Sequence, residues 1–300
     1  MLKIGDIIRM NRKERKISQE DLSYGICSTS NLSRIENNEQ IPSRVKYESL
    51  MERMGLSPLI FPSFRSEREV EIYRLRHEIN QLFKPENYKK VEKLLSELKL
   101  FTIKEQSDKI FIEYVDTLLL IWKNESAENV LKAMKTVAEK SVMDLNPNKI
   151  INQSLSLLDL CILRNLALAY YDAEQKETGI DLLYSLVHYI EVKVVDYKGI
   201  SPLYTGILHC LTNWVGLQGD HTEVIRLCDI GIKRCKEYSA YSFFAELKFN
   251  KGYALIMLGD KNAAREYIQD AFFINRAKDE TEICEVIKDF ASEQRINLGN

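Results

Sequence analysis

Chain breakers are scarce in this sequence: its 300 residues hold only 12 glycines and 6 prolines. An ordinary chain carries about 7% glycine and about 5% proline, so collagen-like, linker-rich and low-complexity organisations are excluded and a glycine-punctuated all-β barrel is disfavoured. Long hydrophobic runs are missing as well. The most apolar stretch, VDTLLLIW at 115–122, is interrupted by Asp116 and Thr117, whereas a membrane helix needs about 18 uninterrupted apolar residues. The opening MLKIGDIIRMNRKERK is charged every few residues and has no apolar segment of the kind that marks a secretory signal. Six scattered cysteines form no CxxC pair, and are expected to be reduced, mostly buried small side chains. Four histidines (His77, His188, His209 and His221) stand far apart, and no Walker loop, GxGxxG or GxSxG occurs. These absences predict a chain with no metal, no cofactor and no enzymatic activity.

What is present is helix-forming material, with 45% apolar and 29% charged residues. The net charge of −2 is an average over unlike parts. Residues 1–68 carry 12 lysines and arginines against 9 acidic residues, and the basic excess concentrates in RMNRKERK at 9–16. A basic segment on an acidic chain is a recognised hint of nucleic-acid contact.

The periodicity of this segment predicts four short helices. Ile4, Ile7 and Ile8 form the apolar face of a first helix over about 4–15. Ser18 offers an N-cap to a second helix, with Asp21 in the capping-box place, and Gly25 stops it. Ser28 caps a third helix, TSNLSRIE, whose Leu32 and Ile35 face inward. Ser43 opens a fourth helix with Tyr47, Leu50, Met51 and Met54 on one face, closed by Gly55. A tight turn between the second and third of such helices is the helix-turn-helix arrangement.

IRMNRKERKISQEDL…STSNLSRIENNEQIPS resembles the XRE (Cro/C1-type) helix-turn-helix family, and its shortened turn is similar to the PlcR and NprR group. The resemblance implies that the third helix enters the major groove. Leu32 and Ile35 point to the core, leaving Thr29, Ser30, Ser33 and Arg34 outward, with Ser28 at the cap. Arg34 is the best candidate for base readout, because its fork can bond guanine O6 and N7 together. Gln19 matches the family position that clamps a phosphate, and Asn37 and Asn38 suit backbone contacts after the recognition helix.

From about residue 65 the pattern reads as helix pairs. Gly219-Asp220 and Gly259-Asp260 mark two turns of the same helix–GD–helix form, and Gly252, Gly259, Ala264 and Ala271 resemble the small-residue positions of a tetratricopeptide (TPR) repeat. Weaker copies lie at 162–186, 118–137 and 79–98, and 281–297 reads as a capping helix. The expectation is an all-α chain: residues 1–64 as an XRE-type helix-turn-helix domain, and 65–300 as a right-handed TPR-like α-solenoid of about five pairs. HEAT-like repeats are the alternative for the second part. In a TPR stack the first helices line the concave face. Asn165, Asn213 and Asn250 sit in three successive first helices, where an amide can pair with a peptide backbone. Arg164, Tyr171, Tyr204, His209, Lys248 and Lys251 are further candidates for that groove.

The combination resembles the RRNPP regulators of Gram-positive bacteria. That implies a cytoplasmic homodimer that binds double-stranded operator DNA and is switched by a short signalling peptide. A TPR protein-binding adaptor and a peptide-independent repressor of phage type are the other readings.

Overall fold

Three serines start three of the first four helices. The structure, a computed structural model, describes residues 4–56, 67–194, 199–239 and 241–299. The expected domain boundary at 64/65 lies outside the described residues. The first helices are α1 (Ile4–Glu14), α2 (Gln19–Ser23), α3 (Thr29–Glu36) and α4 (Arg44–Arg53). Ser18, Ser28 and Ser43 accept hydrogen bonds from the backbone N–H groups of Asp21, Asn31 and Lys46. Each such cap stabilises its helix by about 1 kcal/mol. Ile8, Leu22, Leu32, Ile35 and Leu50 have no solvent exposure, and Ile26, Tyr47, Met51 and Met54 complete that core. Gly5 is where α1 passes closest to α3: a Cβ there would lie 2.0 Å from the Ile35 carbonyl oxygen.

Among the described residues the remaining elements are helical, in five pairs and a final single helix. The first three pairs are α5 (Glu67–Gln81) with α6 (Tyr88–Lys99), α7 (Gln106–Trp122) with α8 (Ala127–Ser141), and α9 (Leu157–Asp172) with α10 (Lys176–Lys193). The next two are α11 (Ser201–Leu217) with α12 (His221–Tyr238) and α13 (Phe244–Met257) with α14 (Lys261–Ala277), followed by α15 (Thr281–Glu293). The chain divides into two compact units, Met1–Asp196 and Tyr197–Asn300. No helix among the described residues is long and apolar enough to cross a membrane.

Within the first unit, α8 and α9 are joined by a long connector. The connector at 142–156 contains a 3-10 turn, Pro147–Asn152, and Gln153 holds it by accepting from the Met143 and Asp144 N–H groups and donating to the Asp144 carbonyl. The α1–α4 bundle is fastened to the helices beneath it through α4. Arg53 and Asp159 form an ion pair with side chains 2% and 4% exposed. Lys46 bonds Glu105, at the start of α7, at 2.8 Å and the Asn31 side chain at 3.0 Å.

In the second unit both Gly-Asp turns work as the residue types require. Gly219 and Gly259 adopt φ of +87° and +89°, a conformation open to glycine at no steric cost. Asp220 and Asp260 cap the next helices by accepting from the Glu223 and Ala263 N–H groups. At Gly252 an added Cβ would fall 2.6 Å from Ile268, so the small residue sets how closely α13 and α14 approach. Cys284, Ile287 and Ala291 of α15 pack on Ile268, Ala271 and Phe272 of α14.

Candidate DNA-binding helix and peptide-facing residues

The turn between α2 and α3 is held by one buried carboxylate. Glu36, 2% exposed, accepts from Arg12 Nε at 2.5 Å and Nη2 at 2.8 Å, and from Gln19 Nε2 at 2.8 Å. A third Arg12 bond goes to the Ile17 carbonyl at 2.9 Å. Burial pushes the Glu36 carboxyl upward, but the Arg12 and Gln19 bonds outweigh it and hold the group below the usual carboxylate range. Glu36 therefore joins α1, α2 and α3 and leaves the outer face of α3 free.

On that face Ser28, Thr29, Ser30 and Arg34 are exposed and Ser33 is half-buried. Arg34 has no ion-pair partner among the described residues, and Glu36, two places on, faces inward to Arg12. Ser28 and Ser30 hydroxyls lie 3.1 Å apart, and Thr29 and Ser23 hydroxyls 3.3 Å apart. Arg9, Lys13 and Lys16 are exposed on or just after α1. Asn37 is exposed at the end of α3. The Asn38 side chain instead accepts from the Gly5 N–H at 3.0 Å and donates to Asp6 at 2.8 Å. Its visible work is to pin the start of α1.

The residues expected to face a peptide have different surroundings in each unit. In the first, Asn165 is 8% exposed, and its amide nitrogen donates to the Tyr114 hydroxyl at 2.7 Å and the Cys161 carbonyl at 3.0 Å. Arg164 and Tyr171 are half-buried, with the Lys176 ammonium 5.5 Å from the Tyr171 ring centre.

In the second unit a connected polar group appears. Asn250 donates to the Thr212 hydroxyl at 2.9 Å and to Asn213 Oδ1 at 2.8 Å, while the Asn213 amide nitrogen lies 3.2 Å from His209 Nε2. The His209 ring stacks on Phe243 with centroids 5.2 Å apart. Asn213 is exposed and Asn250 half-buried. Tyr204 is only 1% exposed. Lys248 and Lys251 turn toward the neighbouring second helices: Lys248 bonds Asp270 of α14, and Lys251 bonds Asp229 of α12 and Tyr267 of α14. The structure thus brings His209, Asn213 and Asn250 together and keeps the two lysines apart from them. Thr212 and Phe243 complete the group without having been marked by any pattern in the sequence.

Among the described residues no three His, Cys, Asp or Glu side chains gather as a metal site. All six cysteines are free. Burial pushes the Cys27 and Cys161 thiols up to about 11 and about 12, which keeps them protonated and weakly nucleophilic near neutrality.

No family model matches the sequence, and no curated protein sequence matches it. Solved structures do. PlcR of Bacillus thuringiensis, in complex with the peptide PapR7 and DNA, has a TM-score of 0.60 at 17% identity over 95% of this chain and 98% of that one. The apo form of PlcR has a TM-score of 0.61 at 15% identity over the same shares. The apo competence regulator ComR of Streptococcus vestibularis has a TM-score of 0.56 at 16% identity over 98% of each chain. The chain therefore has the fold of these regulators along nearly its whole length: an N-terminal helix-turn-helix followed by TPR-like helix pairs.

Proposed function

We propose that this chain is a DNA-binding transcriptional regulator controlled by a short signalling peptide. The observation that carries the reading is the extent of the shared fold: 95% of the chain superposes on 98% of a PlcR structure that holds both the peptide PapR7 and DNA. A ComR structure in complex with its signalling peptide XIP, with a TM-score of 0.52, supports the same reading. A regulator rather than an enzyme also fits the absence of any catalytic constellation in the sequence.

In this reading residues 1–64 bind DNA and 65–300 bind peptide. Arg34 reads a guanine edge from the major groove, while Ser28, Thr29, Ser30 and Ser33 contact bases or phosphates. One amide hydrogen of Gln19 goes to Glu36, and the other serves a phosphate oxygen. Asn37 contacts the backbone, and Asn38 acts by holding α1 in place. For the peptide, Asn213 and Asn250 with His209 form the central polar contact. Tyr204 and Asn165 support helix packing. The protein works as a cytoplasmic homodimer on two half-sites about 34 Å apart or a multiple of that. The peptide shifts the equilibrium only by as much as it binds one state better than the other.

Fluorescence anisotropy with promoter fragments tests the DNA half: tight, sequence-selective binding is expected, and none at low salt would refute the reading. Calorimetry with short secreted peptides encoded beside the gene tests the other half. Selective DNA binding with no peptide response would leave a repressor of phage type in its place.

A further inference from the structure

Between α4 and the helices beneath it lies a cavity of about 360 Å³, entirely within the first unit. Glu48 and Glu52 stand on its α4 wall, and Tyr73, Phe83, Phe111 and Tyr114 line it from α5, the loop after α5, and α7. That volume and that mixture of aromatic surface with a few convergent polar groups are typical of small-ligand sites.

Three arginines beside the cavity are already bonded to carboxylates. Arg44 bonds Glu48 at 2.7 Å, Arg76 pairs with Asp108, and Arg53 pairs with Asp159. Each of these three arginines thus bonds a carboxylate other than Glu52, and only the charge of Arg76 reaches Glu52 from a distance. Glu52 faces the Leu157 backbone N–H and has no cation within ion-pair distance among the described residues. Burial, with Glu48 beside it, pushes the Glu52 carboxyl up to about 7. A cation arriving there would remove the penalty of ionising it.

The aromatic walls already show what they accept. The Arg44 guanidinium lies 4.2 Å from the Tyr73 ring centre, and that of Arg76 lies 4.4 Å from the centre of Phe111. Phe83 meets Tyr114 edge to face, with centroids 6.2 Å apart, and no cation–π partner of this kind sits over either ring among the described residues. An ammonium near an aromatic face is attracted by the negative face of the ring, and the half-buried Glu52 carboxylate adds the complementary charge. We propose that this cavity binds a small organic cation of the arylalkylamine class, its ammonium on Glu52 and its ring against Phe83 and Tyr114. A ligand so placed touches both α4 and the helices to which α4 is fastened.

The test uses the full chain with 2-phenylethylamine as probe and 2-phenylethanol as its uncharged counterpart. The amine is expected to raise the melting temperature and to bind with a millimolar or lower Kd, and the alcohol to bind at least about tenfold more weakly. Glu52→Gln keeps an acceptor for the Leu157 N–H and keeps the shape, so the unliganded protein should stay folded, as far-UV circular dichroism would verify. In that variant amine affinity should fall about tenfold, with the alcohol unchanged. Phe83→Leu, a substitution on the other side of the cavity, should weaken both probes. Equal binding of amine and alcohol, amine binding undiminished in Glu52→Gln, or no amine binding at about 10 mM would each overturn the proposal.

Discussion

Arg12 grips Glu36 with two parallel bonds, Nε to Oε1 at 2.5 Å and Nη2 to Oε2 at 2.8 Å, and so ties the first helix of the N-terminal bundle to the third. Both side chains are largely out of water, at 12% and 2% exposure. Removing one partner of a buried pair leaves the other charge uncompensated, which costs about 3–5 kcal/mol. Glu36→Ala is therefore expected to destabilise the protein by about 3 kcal/mol. Urea unfolding at neutral pH measures it, and a loss below about 1 kcal/mol would mean that the pair carries little of the bundle's stability.

The same carboxylate sets a pH dependence. Its pKa is held below the ordinary value, so the folded state binds the proton less readily than the unfolded chain does. The stabilisation is complete above the unfolded carboxylate pKa of about 4.3 and is lost as pH falls through the lower, folded-state range. Urea midpoints of the wild type and Glu36→Gln should differ most above about pH 5 and converge toward about pH 3. A gap constant across that window would assign the effect to shape rather than charge.

Arg34 is exposed and unpaired among the described residues, so its replacement should leave the fold alone. Arg34→Ala is expected to change the melting temperature little and to reduce specific operator affinity by about 1–3 kcal/mol, roughly ten- to hundredfold. Binding to an unrelated duplex should fall much less. A uniform loss on both duplexes would make Arg34 a phosphate contact instead of a base reader.

The short-range content of the fold is legible in the sequence, for a physical reason. Ser18, Ser28 and Ser43 act on backbone N–H groups three residues away. The Gly-Asp turns at 219–220 and 259–260 carry their conformational requirement in the residue type itself. Contacts across tens of residues have no such signature. Arg53 meets Asp159 across 106 positions, and neither stands out from the other charged residues on its helix. Asn165 and Asn213 were indistinguishable by repeat position, yet one is bonded to Tyr114 and the other lies beside Asn250. Lys248, a candidate for the same groove, stands two places from Asn250, but two places on a helix is more than half a turn, and it points at Asp270.

That difference in direction separates binding from packing in the second unit. Asn213→Ala and Asn250→Ala should each weaken binding of a cognate peptide by about 1 kcal/mol or more, a fivefold or larger rise in Kd, with little change in melting temperature. Lys248→Ala should do the reverse. It breaks the pair of a buried ammonium with the partly exposed Asp270 carboxylate, so stability should fall by about 1 kcal/mol while peptide affinity holds. Calorimetry alongside thermal denaturation of all three variants reads both quantities. Unchanged peptide affinity in both asparagine variants would refute the polar contact at Asn213 and Asn250.

The attachment of α4 to α9 rests on Asp159, which also receives bonds from the Ser156 N–H and hydroxyl and from the Ser141 hydroxyl. Arg53, for its part, also donates to the Tyr24 carbonyl. Asp159→Ala removes the counter-charge of a 2% exposed guanidinium and the capping box of α9 together, so a loss of about 3–5 kcal/mol is expected. The double variant Arg53→Met/Asp159→Leu removes both charges and fills the space with apolar atoms. Desolvating the original pair was itself costly, so the double variant should recover much of that loss and be more stable than Asp159→Ala alone. A double variant as unstable as the sum of its single variants would show that the hydrogen bonds to Tyr24, Ser141 and Ser156, rather than the ion pair, hold the bundle on α9.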